Sequence, residues 1–269
     1  MKEKVAIVIP FYKYTLSDYE LVSLRRCMEA LSAYPIIAIK PLSLDLSSIF
    51  RTYPPSIVKN FDDSFFTSIR SYNRLMLSDT FYSEFLNYQY ILIYQLDSFV
   101  FQDTLAEWCS GKYDYIGAPW LQEENNVSYL QKIQTTIAQQ VSIFFNRKQS
   151  GEAYPSYNQF SNKVGNGGLS LRSVSKFHRL TIEKKETIAF YLSQNHYHYN
   201  EDAFWSIEVN RRNKRLKIPG YHKAVYFSFE NEPEQAIQLT KGVLPFGCHD
   251  WDSHLGFWRP IFKQYGYTI

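Results

Sequence analysis

The chain has 269 residues, 45% of them hydrophobic, which predicts one compact domain with a sizeable core. A net charge of +3 is too small for a nucleic-acid footprint, and three scattered cysteines (Cys27, Cys109, Cys248) exclude a disulfide framework or zinc knuckle. No run approaches the roughly 18 apolar residues of a membrane span, and Val5 to Ile9 is too short for a signal peptide, so a reducing, cytoplasmic setting is expected.

Val5-Ala6-Ile7-Val8-Ile9 is a continuous apolar run closed by Pro10, the pattern of a buried parallel strand. Ser17-Asp18-Tyr19-Glu20 has capping-box spacing, and Leu21, Leu24, Met28 and Leu31 follow at helical intervals. Pro35 ends that helix, and Ile36-Ile37-Ala38-Ile39 supplies a second strand. The first forty residues thus read as a βαβ unit of a mostly parallel sheet flanked by helices. A second helix is expected over residues 64–77, a buried strand over residues 90–94, and a strand and turn over residues 113–119. Apolar positions at Leu130, Ile133, Ile137, Val141 and Phe144 mark one amphipathic helix within residues 127–145. Residues 146–163 show no period and predict a mobile loop. Asn200 is placed to cap a helix from 201 to about 210. Residues 224–229 read as a late strand, and the tail from Pro245 shows little regular pattern. The basic run from Arg211 to Lys217 fits a solvated helix end, with a phosphate or an anionic membrane surface as the alternative contact.

Four segments carry candidate chemistry. Asp97 directly follows an apolar strand, where a carboxylate either holds a hard metal or forms a turn. Val164 to Arg172 sets Gly165, Gly167 and Gly168 around Asn166, which suits close approach of backbone to a ligand or a tight turn before a strand. Asn200-Glu201-Asp202 puts two carboxylates in a helix's first turn, consistent both with capping and with taking a proton from a hydroxyl. His249, in Phe246-Gly247-Cys248-His249-Asp250-Trp251, reads as a metal ligand or as a buried hydrogen-bonding histidine. His196 and His198 alternate like strand residues, in a supporting or surface position.

These segments in this order, with Val8-Ile9-Pro10, Tyr72-Asn73-Arg74-Leu75-Met76, Gln95-Leu96-Asp97 and residues 113–120, resemble a bacterial glycosyltransferase family, long a domain of unknown function and related to the GT-A superfamily. The resemblance implies a single GT-A-like α/β domain, nucleotide-binding over about residues 1–120 and acceptor-binding and catalytic over about 121–269. It implies transfer of a hexose from a nucleotide-sugar, UDP-linked first, to a glycan or glycoprotein acceptor, with inversion; a retaining reaction or an inactive carbohydrate-binding scaffold is the rival. In GT-A enzymes an Asp-x-Asp motif holds a divalent ion, manganese or magnesium. The matching residues here are Asp97-Ser98-Phe99, so the second Asp is missing and His249 is implied as the partner ligand. Pro10, Phe11 and Tyr12 are implied to meet the nucleotide, and Asn73, Gln95, Asn166, Gly167 and Gly168 the rest of the donor. Asp202 is implied as the base, with Glu201 on sugar hydroxyls. The implied partners are the nucleotide-sugar donor and the glycan or glycoprotein acceptor, without nucleic acid or a transmembrane segment and with peripheral membrane contact left open.

Overall fold

The structure, a computed structural model, describes residues 3–122 and 128–269. Its strands are β1 (Glu3–Pro10), β2 (Ile36–Pro41), β3 (Ile57–Phe61), β4 (Tyr88–Tyr94), β5 (Phe99–Val100) and β6 (Tyr115–Ile116). They continue as β7 (Pro119–Trp120), β8 (Lys163–Val164), β9 (Leu169–Ser173), β10 (Ser228–Phe229) and β11 (Gly247–Cys248). Six make the central sheet in the order β3-β2-β1-β4-β9-β6. The first four pair in parallel, and β9 runs antiparallel to both β4 and β6. The expected α/β architecture with a mostly parallel sheet is present.

The apolar run of β1 explains why it lies at the centre. Side chains of a strand alternate between faces, and Val5, Ile7 and Ile9 enter one core cluster while Ala6 and Val8 enter another. Helix Asp18–Ala30 covers the first face with Leu24 and Cys27, and its Ser17 capping box forms as expected. Leu75 and Met76 of helix Ile69–Met76, with Phe177 and Leu180 of helix Val174–Glu183, cover the second. Each fully buried side chain of this kind contributes about 1.5–3 kcal/mol. A third cluster gathers Phe99, Cys248, Trp251, Trp258 and Phe262 around the small sheet β10-β11-β5. The three cysteines are free and buried. Among the described residues no helix is long and apolar enough to cross a membrane.

Several elements differ from expectation. The helix within residues 64–77 starts later, at Ile69, because Ser68 caps it and a 3-10 turn precedes it. Residues 224–229 divide into the end of a short helix, Tyr221–Ala224, and β10. The tail is regular after all: Leu255–Gln264 is a helix that buries Trp258 and Phe262. Residues 146–163 are pinned rather than featureless, with Gln159 fully buried and donating to Arg147 O at 2.7 Å. His196 and His198 sit on a 3-10 turn, not a strand, and His198 Nδ1 lies 2.8 Å from Pro155 O. The helix expected from 201 is α-helical only over Glu201–Ala203, and a π-helical stretch, Phe204–Glu208, follows.

Helix Tyr129–Phe144 forms where the periodicity places it, with Ser128 as its cap. A surface helix ordinarily turns its apolar stripe to the core. Here Leu130, Ile133, Ile137 and Phe144 are exposed, and Ser142 and Ile143 are the buried pair.

Candidate functional site

The carboxyl ends of β1 and β4 open onto a cleft of about 770 Å³. In open α/β sheets this is the edge where ligands bind. Pro10, Tyr12 and Lys13 line it from the end of β1, and Gln95 and Asp97 from the end of β4. Asn166, Gly167 and Gly168 come from the turn before β9, Asn73 from helix Ile69–Met76, and Glu201 and Asp202 from the turn after Asn200. His249, Glu230 and Asp252 close it from the C-terminal side. Every residue implied for the metal, the donor or the base except Phe11 meets here. Phe11 turns inward, 3% exposed, and its ring packs edge-on against Phe50 at 5.4 Å. Its apolar ring is more stable in the core than at a polar rim, so Tyr12 is left as the aromatic of that loop.

The space a side chain would take at Gly165, Gly167 or Gly168 is already filled by the protein. A Cβ on Gly168 would lie 1.9 Å from His249 Nε2, and one on Gly167 would lie 2.2 Å from Glu201 Oε1. A Cβ on Gly165 would strike the Trp120 ring at 2.0 Å. The turn therefore brings β9 close enough for His249 and Glu201 to reach the rim. Asn166 locks it, its Oδ1 accepting from Gly168 N at 2.7 Å.

Glu201 is not free. Arg172 of β9, with no exposed surface, donates to Glu201 Oε1 at 2.8 Å and Oε2 at 2.9 Å. The same guanidinium donates to Ser170, Tyr82 and Gly167. A buried, bidentate pair this well satisfied fixes position, and breaking it would leave a charge stranded. Asn73, not Asn200, caps the turn: its Oδ1 accepts from Glu201 N at 3.3 Å while its Nδ2 donates to Asn200 Oδ1 at 2.8 Å. Asp202 is the carboxylate left facing the cleft. Burial first, and then the charge of Glu201, push its carboxyl up to about 8, although its Oδ1 accepts from Ala203 N at 2.7 Å. Repulsion and burial thus outweigh the stabilisation a helix start gives to an acid.

His249 Nε2 lies 3.0 Å from Asp97 Oδ1 and 3.1 Å from Gln95 Oε1, and its Nδ1 lies 3.5 Å from Glu230 Oε1. Burial disfavours the charged imidazole, yet Asp97 and Glu230 outweigh it and hold its pKa well above 6.5. Asn166 works against that second proton, since its Nδ2 faces His249 Nδ1 at 3.1 Å as a donor. Burial likewise opposes the Asp97 charge, and His249 outweighs it and holds the carboxyl below its ordinary value.

Asp97 gathers with two residues to which the sequence reading gave no role. Asp97, Asp250 and Asp252 present carboxylate oxygens all within 4.8 Å of one another. Partial burial, and then Asp97 and Asp250, raise the Asp252 carboxyl. Asp97 Oδ1 is sealed from solvent, and its close partner is the His249 ring at 3.0 Å. An all-oxygen set of three converging carboxylates fits a hard divalent cation. The signal was in the sequence: Asp250-Trp251-Asp252 has the Asp-x-Asp spacing that Asp97-Ser98-Phe99 lacks. Glu230, a lone acid beyond β10, had no such signal.

The fold is that of the GT-A glycosyltransferases. The galactosyltransferase LgtC, in complex with donor and acceptor sugar analogues, is 14% identical over 91% of this chain and 86% of its own, with a TM-score of 0.51. An active-site mutant of LgtC aligns with the same identity and coverage at a TM-score of 0.52. The apo form of the glycosyltransferase GlyE from Streptococcus pneumoniae is 12% identical over 92% of this chain and 54% of its own, at 0.49. No curated protein matches the sequence. Residues 56–249 match the family described as Protein of unknown function (DUF5672), and the chain belongs to that family.

Proposed function

We propose that this protein is a metal-dependent glycosyltransferase. It moves a hexose from a nucleoside-diphosphate donor, UDP-linked first, to a hydroxyl of a glycan or glycosylated protein, with inversion. The observation that carries the reading is one cleft lined both by Asp97 and Asp252, which converge with Asp250 beside it, and by a half-buried, proton-loving Asp202. The GT-A fold, shared with a galactosyltransferase crystallised with donor and acceptor analogues, supports it.

A divalent cation, manganese first and magnesium second, would be held by Asp97, Asp250 and Asp252 and would supply neutralisation of the departing diphosphate. Its charge on Asp97 would weaken the pull that keeps His249 doubly protonated, freeing Nε2 to join the ligands. Tyr12, 57% exposed at the end of β1, offers a ring to a nucleobase. Asp202 acts as general base. A carboxylate whose pKa lies near neutrality is matched to taking a proton from an acceptor hydroxyl. Glu201 serves through position, held by Arg172 behind the sugar site.

Incubation with a panel of nucleotide-sugars, with manganese and with excess chelator, tests the reading. Turnover of one donor in manganese, abolished by chelator, is expected. Full turnover in chelator would remove the cation from the mechanism, and retained anomeric configuration in the product would remove Asp202 as the base. Calorimetric titration of manganese separates the ligands. Asp252→Asn and Asp97→Asn are expected to weaken binding more than His249→Ala.

A further inference from the structure

The helix Tyr129–Phe144 carries its apolar stripe outward, and its described side chains from 130 to 138 are all exposed. At 3.6 residues per turn, Leu130, Ile133, Ile137, Val141 and Phe144 fall within an arc of roughly 80°. Four of them are exposed, by 71%, 40%, 58% and 48%, and neighbouring Phe145 is exposed by 69%. Only the C-terminal part turns to the protein, through Gln139, Val141, Ser142 and Ile143. Gln139 donates to Asn158 O and Ser161 O at 2.9 and 2.6 Å, and Ser142 is buried beside Ile143. A contiguous apolar stripe left outside marks a surface that something else covers.

Charge around the stripe says what that is. Arg211 donates to Ile143 O, Gln159 and Glu208, which ties the basic run to the helix's C-terminal end. Next to it Arg212 and Lys214 are exposed, and Arg147 is exposed just beyond Phe145. None of these three side chains has a hydrogen bond or ion pair among the described residues, unlike Arg215, which pairs with Glu183. The nearest acids before the helix in sequence, Glu123 and Glu124, lie outside the described residues. An apolar stripe with unpaired cations at one end complements an anionic bilayer, where the rings and aliphatic chains enter the interface and the cations meet phosphates.

We propose that the helix Tyr129–Phe144, with Phe145, Arg147, Arg212 and Lys214, is a docking surface for an anionic lipid membrane. It binds in the plane of the interface and does not span. This inference is independent of the catalytic reading, since none of its residues belongs to the cleft.

The test floats the full-length protein with vesicles of phosphatidylcholine alone and of phosphatidylcholine mixed with phosphatidylglycerol. The protein is expected to float with the mixed vesicles and to be released as salt rises. Leu130→Gln combined with Ile137→Gln should lower the bound fraction about tenfold. Arg212→Gln and Lys214→Gln should each cost about fivefold on mixed vesicles and nothing on neutral ones. Phe145→Ser, at a site with little to lose in the fold, is the second apolar variant, and circular dichroism keeps folding in view. The proposal is overturned if the wild type stays in solution with mixed vesicles, or if the apolar variants float as well as it does. A dimer that Ile137→Gln dissolves, without flotation, would assign the stripe to a second copy and equally overturn it.

Discussion

At the cleft, a guanidinium and a carboxylate, Arg172 and Glu201, lie 0% and 6% exposed inside the fold, bonded to each other, with the guanidinium also donating to Ser170, Tyr82 and Gly167. On the helix Tyr129–Phe144 the reverse holds: Leu130 and Ile137 stand more than half exposed while Gln139 and Ser142 face the protein. Both arrangements run against the usual sorting of polar and apolar groups. In the first, internal hydrogen bonds answer each buried charge, so the feature is explained within the chain. In the second nothing among the described residues answers the exposed stripe. A rule broken with internal compensation marks a positioned site, and one broken without it marks a surface awaiting a partner.

That contrast can be broken at several points. The largest effect is expected for Asp202→Asn, which should lower transfer by roughly 10²–10⁴-fold while donor binding is largely kept, as measured by steady-state rates and titration. Its pH signature has a definite sign. Folded Asp202 keeps its proton up to about 8, whereas an unfolded aspartate loses it near 3.8. The stability it lends is therefore full below about pH 4 and fades as pH rises to about 8. Asp202→Asn should match the wild type in melting temperature near pH 4 and exceed it near pH 8. Transfer by the wild type should rise through the same upper range as the base deprotonates.

Next in size is Arg172→Met, which strands Glu201 and should cost about 3–5 kcal/mol in urea unfolding. Adding Glu201→Gln should restore much of that, and a double variant no more stable than Arg172→Met would disprove the coupling. Gly168→Ala should cost about 1–3 kcal/mol, because the His249 ring occupies the space of the new methyl. Gly256→Ala, in a helix with nothing within 4 Å, should be neutral or stabilising by comparison. The smallest effect is expected on the outer helix. Ile137→Gln should move stability by less than about 0.5 kcal/mol, although an isoleucine is lost. A larger cost would mean that the stripe is covered within the chain.

The sheet was legible where strands are buried on both faces. β1, β2 and β4 announce themselves as unbroken apolar runs, whereas β3 is a half-exposed edge whose Ile57-Val58-Lys59-Asn60 shows no comparable signal. The C-terminal helix was hidden by Pro260 and by aromatics that look like tail residues until Trp258 and Phe262 are seen to pack on Phe99 and Phe101. The site's main positions were legible because each stands at a strand end or helix start. What sequence could not give was partnership. Gly167 and Gly168 read as room for a ligand, and the room proves to belong to Glu201 and His249. Glu201 and Asp202 read as near equivalents until Arg172 separates them. Asp250 and Asp252 stood in plain view, but their relation to Asp97, about 150 residues away in the chain, exists only in the fold.

The π-helical stretch Phe204–Glu208 follows directly on the acidic turn. Such a turn contains one residue more than α-helical pitch accommodates. It acts as a phase shift between Glu201 and Asp202, which line the cleft, and Ile207 and Val209, which are buried. Remove a single residue from it and the segment would rewind to regular pitch, turning one end against the other by roughly 100°. Asp202 would then leave the cleft or the buried residues would leave their packing. A one-residue deletion here, far gentler in composition than many substitutions, would erase the alignment between the hydrophobic interior and the reacting edge.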